Sequence, residues 1–137
     1  MKTILLDTCV ILDILDQETN WHQWSKNTLR ELSHTSNLVI NPIIFSELCA
    51  GMASPQEVLA MLKSLTITEQ PLTHEALFLA AKAFLQYRRR GGSKTGVLPD
   101  FFIGAQAAVC SWELMSRDKG RYTSYFPTVR MILPEVH

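Results

Sequence analysis

The chain has 137 residues, close to the length of one domain, and is long enough to bury about two thirds of its extended surface. Its 47% hydrophobic and 19% charged content excludes long-range disorder. The 13 basic and 13 acidic residues cancel, which at face value speaks against a basic nucleic-acid binder and against an acidic tail protein. The halves do not cancel separately. Residues 1–75 carry four basic and nine acidic side chains, and residues 76–137 carry nine basic and four acidic ones. Solvated helix faces that differ by chance, or an acidic site beside a basic surface, would each give this asymmetry.

In chain order, Thr3–Leu6 is a short apolar run of the kind found in buried strands. Val10–Leu15 and Trp21–His34 have helical spacing, the second with Trp21, Trp24, Thr28, Leu29 and Leu32 along one side. Leu38–Ile40 is a second strand, closed by Asn41-Pro42, and Pro42 suits the first turn of a helix reaching Gly51. Pro55 opens another helix, with Val58, Leu59, Leu62 and Leu65 as its apolar stripe. Ile67 falls in a short strand before Pro71, and Thr73 caps a long helix to about Arg90. Gly91-Gly92-Ser93 begins a loop to Pro99. A helix from Asp100 to about Val109, a strand at Trp112–Met115 and a last short strand at Met131–Leu133 complete the chain. Strands separated by helices predict one α/β domain over residues 1–137, a small parallel sheet flanked by helices on both faces. In such sheets ligands gather beyond the carboxyl ends of the strands.

Cys9, Cys49 and Cys110 are far apart, odd in number and set among apolar neighbours, as expected of a reduced, cytoplasmic protein. Asp7 and Asp13 interrupt the N-terminal apolar run before a signal sequence forms. With no run of 18 apolar residues, no membrane span is expected.

The informative residues are acids in apolar surroundings. Asp7 lies in Ile4-Leu5-Leu6-Asp7-Thr8-Cys9-Val10, Glu47 in Ile44-Phe45-Ser46-Glu47-Leu48-Cys49, and Asp100 in Leu98-Pro99-Asp100-Phe101-Phe102. An ionised carboxylate in such a place must be paired, neutralised or metal-bound. None of the three has a basic residue within an adjacent turn. Helix capping alone would account for Asp100, the first residue of its predicted helix, but three cases together favour a shared cation. Asp118, in Ser116-Arg117-Asp118-Lys119, reads alone as a surface turn, yet like Asp7 it follows a strand and is a candidate fourth member. Oxygen-only clusters select Mg²⁺ or Mn²⁺.

Other chemistries fit poorly. His22, His34, His74 and His137 lack zinc-ligand spacing. Gly91-Gly92-Ser93-Lys94-Thr95 lacks two glycines of a phosphate-binding loop and follows a helix instead of a strand. There is no serine nucleophile elbow. A metal-dependent phosphatase of the haloacid-dehalogenase type needs a second aspartate where Cys9 stands.

Taken in order, the four acids resemble those of the PIN-domain ribonucleases, above all the VapC-type toxins of toxin–antitoxin pairs. Leu5-Leu6-Asp7-Thr8 is similar to the family's opening strand and first ligand, and Ser46-Glu47-Leu48 to its second acidic motif. Leu98-Pro99-Asp100-Phe101-Phe102-Ile103-Gly104-Ala105-Gln106-Ala107 resembles the third, including small residues that let the helix pack closely. Ser116-Arg117-Asp118, with Tyr122 and Tyr125-Phe126-Pro127, resembles the fourth. The likeness spans Thr3 to Pro134. Cys9 stands where the family usually has asparagine or serine, and Ser116 where threonine is commoner.

The resemblance implies a Mg²⁺- or Mn²⁺-dependent endoribonuclease with Asp7, Glu47, Asp100 and Asp118 as catalytic and metal-binding residues. Asp7 and Asp100 would ligate directly, Glu47 and Asp118 would ligate through water or orient the attacking water, and Thr8 and Ser116 would hold the carboxylates. Arg88, Arg89, Arg90 and Lys94 would contact RNA phosphates, or else form a solvated helix end favoured by the helix dipole. A cognate antitoxin and a homodimer are implied partners. Trp21 and Trp24 read as core or rim packing beside a groove for a partner's apolar segment. The alternatives are a catalytically silent module of the same fold that binds nucleic acid or protein, and the phosphatase. With metal bound, the working protein would be net positive.

Overall fold

In the computed structural model, which describes residues 1–94 and 96–135, every strand–helix alternation expected from the sequence is present. Thr95 and His137, both named above, lie outside those residues. The elements are β1 (Lys2–Leu6), α1 (Thr8–Leu15), α2 (His22–Ser33), β2 (Ser36–Ile40), α3 (Pro42–Cys49), α4 (Pro55–Ser64), β3 (Ile67–Glu69), α5 (His74–Arg89), α6 (Leu98–Cys110), β4 (Glu113–Met115), α7 (Gly120–Tyr125) and β5 (Met131–Ile132).

The strands form one parallel sheet in the order β3-β2-β1-β4-β5. β1 is central because its Ile4, Leu5 and Leu6 are apolar on both sides, and all three are buried. The order runs outward one way from β1 through β2 and β3, and the other way through β4 and β5. The gap between β1 and β4 is therefore the switch point, where the connections diverge and a crevice opens at the carboxyl ends. Asp7 follows β1 there, with its backbone N–H donating to the Met115 carbonyl of β4 at 2.9 Å. Ser116 and Asp118 follow β4 on the same rim.

Helix starts follow their caps. Asn41 Oδ1 accepts from Ile44 N at 2.9 Å, Ser54 Oγ from Glu57 N at 3.2 Å, and Thr73 Oγ1 from Ala76 N at 3.1 Å. One expectation needs correction. The helix expected from Asp100 begins at Leu98, so Asp100 lies in its first turn and caps nothing; the N-cap is Val97, without a side-chain bond. Helix α7 was not foreseen, because Gly120-Arg121-Tyr122-Thr123-Ser124-Tyr125 has weak helix formers and no apolar period.

Helix α6 reaches the rim by packing close. At Gly104 a Cβ would stand 2.3 Å from Cδ2 of Phe126, so only glycine admits that ring. Gln106, fully buried, accepts from Asn41 Nδ2 at 2.9 Å and donates to the Pro71 carbonyl at 2.9 Å. This bond ties the start of α3, which carries Glu47, to α6, which carries Asp100. Trp24 packs half-buried against the core. Among the described residues no helix is long and apolar enough to cross a membrane, and Cys9, Cys49 and Cys110 are free thiols.

Candidate active site

Asp7 is the hub of the crevice. Its Oδ1 accepts from the Thr8 backbone N–H at 2.8 Å, capping α1. Its Oδ2 accepts from Ser116 Oγ at 2.8 Å and from Tyr122 Oη at 3.0 Å. The Tyr122 hydroxyl also lies 3.5 Å from Asp100 Oδ1, so one phenol stands between the two aspartates. Thr8 connects the second acid, donating its hydroxyl to Glu47 Oε1 at 2.6 Å. Ser116 Oγ accepts the Asp118 N–H at 3.0 Å, which folds the chain after β4 into a tight turn and leaves Asp118 exposed.

Hydrogen bonds link Asp7 to Ser116 and Tyr122 and link Thr8 to Glu47, and the charges of Asp7, Glu47 and Asp118 all reach Asp100. Burial holds Asp7 above the usual carboxylate range; the bonds from Ser116, Tyr122 and Thr8 pull it back, while the charge of Glu47 pushes it up further. Asp100 is pushed up to about 6, first by burial, then by the charge of Asp7, with Glu47 and Asp118 adding and Arg121 opposing. Burial and the two aspartates keep the Tyr122 phenol protonated, which leaves it a donor. The Cys9 thiol, 3.7 Å from Ser116 Oγ, is pushed up to about 11 by burial and Asp7, so it stays neutral beside the site.

Two arginines missed at the level of sequence complete the picture. Arg121 Nη1 lies 3.2 Å from Asp100 Oδ2 and is the basic partner that no adjacent turn supplied. Arg117 Nε lies 2.8 Å from Asp13 Oδ2. Asp13 is itself buried on α1 and is reached by Ser25 Oγ at 3.3 Å and Thr19 Oγ1 at 3.4 Å. That pair anchors the residue preceding Asp118 to the body of the protein. The one signal for Arg121 in the sequence was its place between Asp118 and Tyr122. Of the basic run, the Arg88 guanidinium lies 6.0 Å from the Phe84 ring centre and that of Arg90 lies 5.3 Å from Tyr125. Lys94 donates its backbone N–H to Tyr87 Oη at 3.2 Å.

The donor set is all oxygen, which suits a hard divalent cation. It is not a closed cage, since among the described residues no three His, Cys, Asp or Glu side chains are grouped to hold an ion.

The parallel order β3-β2-β1-β4-β5, with Asp7 and Ser116 meeting at its switch point, defines a parallel α/β protein. The chain matches the PIN domain family over residues 4–123, and it belongs to that family. Its fold is similar to a chain of VapBC2 from Rickettsia felis, crystallised bound to a DNA fragment from their promoter. That match has a TM-score of 0.74 and 13% identity, and covers 97% of this chain and 99% of that one. It is also similar to a chain of a toxin–antitoxin complex from Klebsiella pneumoniae, with TM-score 0.66, 20% identity and coverage of 92% and 94%. A third is VapC20 of Mycobacterium tuberculosis, a sarcin–ricin loop cleaving toxin, with TM-score 0.59, 13% identity and coverage of 88% and 93%. At these identities the likeness is one of fold. No curated protein matches the sequence.

Proposed function

We propose that this chain is a metal-dependent endoribonuclease, the toxin of a VapBC-type pair. The observation that carries the reading is the electrostatic and hydrogen-bonded coupling of Asp7, Glu47, Asp100 and Asp118 around one crevice in a PIN-domain fold. Asp7 and Asp100 would hold Mg²⁺ or Mn²⁺, with Glu47 and Asp118 at the edge of the site. When bound, the ion supplies Lewis acidity to the scissile phosphodiester and to the attacking water. Ser116 and Tyr122 fix Asp7 Oδ2 in one orientation, so that little reorganisation is needed as charge develops. Glu47, steadied by Thr8, and Asp118, exposed at the mouth, are the carboxylates free to orient the attacking water and take its proton.

A cognate antitoxin, a homodimer and a cytoplasmic site of action belong to the same reading. It is supported by the toxin–antitoxin complexes among the structures of similar fold. Exposed Leu12 and Leu15 on α1, and Leu77, Phe78 and Leu85 on α5, offer apolar surface for such partners.

The test is cleavage of a mixed RNA pool with Mg²⁺ or Mn²⁺ by the wild-type protein and by Asp7→Ala/Asp100→Ala, purified alike. Cleavage by the wild type alone is expected. Equal cleavage by both would betray a contaminating nuclease, and that result, or no cleavage by either, overturns the reading.

A further inference from the structure

Between the basic end of α5 and the acids lies a surface that the proposed function leaves unused. Phe84, Tyr87, Phe101, Tyr125 and Phe126 form one ring cluster joining α5, α6 and α7, with successive centroids 5.3 to 6.2 Å apart. Phe84, Tyr87 and Tyr125 are half-buried, and the two tyrosines meet edge to face at 6.2 Å. Each carries an arginine. The Arg121 guanidinium lies 5.8 Å from the Tyr87 ring centre and that of Arg90 lies 5.3 Å from Tyr125. Arg121 also pairs with Asp100 at 3.2 Å, so Arg90, Tyr125, Tyr87, Arg121 and Asp100 follow one another along a continuous strip.

We propose that Arg90, Tyr125, Tyr87 and Arg121 form the track on which a single-stranded RNA segment is held for the acids, a proposal that rests on the ribonuclease reading above. Four acids around a crevice repel a polyanion, and this strip brings cations to their edge. Cations interleaved with aromatic faces suit unpaired nucleotides: guanidinium groups meet phosphates and rings accept bases, whatever the sequence. A duplex, whose bases already stack on one another, would gain only the phosphate contacts. Packing against a tyrosine limits the freedom of each guanidinium, and beyond the bond from Arg121 Nη1 to Asp100 the remaining N–H groups can donate. Arg121, beside Asp100, would take the phosphate next to the scissile one, and Arg90 one further along. The backbone N–H of Lys94, bonded to Tyr87 Oη, fixes the tilt of that ring. Within the basic run this singles out Arg90; Arg88 lies instead over Phe84.

Affinity for a labelled, mixed-sequence RNA 12-mer would be measured by fluorescence anisotropy in an Asp7→Asn background with Mg²⁺, across a range of salt. Arg90→Gln with Arg121→Gln is expected to weaken binding at least tenfold and to lower the salt slope by about 1.4, two phosphates at about 0.7 each. Lys63→Gln with Lys82→Gln removes the same charge from exposed positions off the strip and should change affinity less than twofold. Tyr125→Leu should weaken binding about fivefold or more with the slope unchanged, its urea midpoint serving as the check on folding. Duplex RNA of equal length should compete at least tenfold less well. Equal losses from the two double variants would reduce the effect to net charge and overturn the track. Unchanged affinity in the Arg90/Arg121 variant, while the wild type still cleaves RNA, overturns the track alone. A wild-type protein that neither binds nor cleaves RNA overturns both the track and the ribonuclease reading.

Discussion

Ser116 Oγ donates to Asp7 Oδ2 at 2.8 Å across 109 residues of sequence, joining the ends of two neighbouring strands through one buried hydroxyl. The same oxygen accepts the Asp118 N–H at 3.0 Å, so a single serine sets the orientation of the first acid and the path of the chain that carries the fourth. Ser116→Ala should cost about 1–3 kcal/mol in urea unfolding, the range for leaving buried polar groups without a partner. Calorimetric titration should show Mn²⁺ affinity falling about tenfold or more, the usual consequence of freeing a ligating carboxylate. Ser116→Thr keeps the hydroxyl and should retain most of both.

The metal-free protein should be more stable in mild acid than at neutral pH. Folded Asp100 keeps its proton up to about pH 6, whereas the ordinary value is 3.8. Between those values the folded chain binds more protons than the unfolded one, so stability falls as pH rises through the window, and the full cost is present above it. Calorimetry in EDTA should therefore record a higher Tm at pH 5 than at pH 7.5. Asp100→Asn should raise Tm at pH 7.5 and flatten this part of the profile. An unchanged difference in the variant would show that other groups produce it.

Gly104→Ala should destabilise the fold by about 1–3 kcal/mol, the cost of overpacking a filled core. The added carbon would lie 2.3 Å from the Phe126 ring, and α6 would have to move away from α7. Phe126→Leu in the same chain should recover part of that loss in urea denaturation; no recovery would place the strain elsewhere.

The pair of buried Asp13 with Arg117 predicts a non-additive cycle. Arg117→Met leaves a buried carboxylate with only hydroxyl donors and should cost about 1–3 kcal/mol. Asp13→Asn combined with Arg117→Met should cost less than the two single losses added together. Strict additivity would mean that the pair contributes nothing as a pair.

Much of the fold was legible because each element carries a local signal. Asn41, Ser54 and Thr73 stand where caps are needed, and the apolar runs of β1 and β2 are too continuous for an exposed strand. Asp7, Glu47 and Asp100 stood out because a charge among apolar neighbours needs a reason that local sequence did not supply. Helix α7 was hidden by its composition. Helix α6 starts two residues before the expected Asp100, because Pro99 occupies its second position instead of preceding it. Asn41 reads in the sequence only as the end of β2; its bond to Gln106 runs to a helix 65 residues away.

By itself, then, the sequence determined the parallel α/β alternation and singled out Asp7, Glu47 and Asp100 as charges among apolar neighbours, since both follow from the free energy of burying residues beside their immediate neighbours. Only the tertiary structure decided which groups answer those acids. Tyr122 lies 115 residues from Asp7, and Arg121 lies 21 from Asp100. Hydrogen bonds and ion pairs act over a few ångströms of space whatever the separation along the chain, and the divergence of strand order between β1 and β4 closes that separation. The zero net charge conceals this: Arg117 meets Asp13 across 104 residues of sequence, and Arg121 meets Asp100.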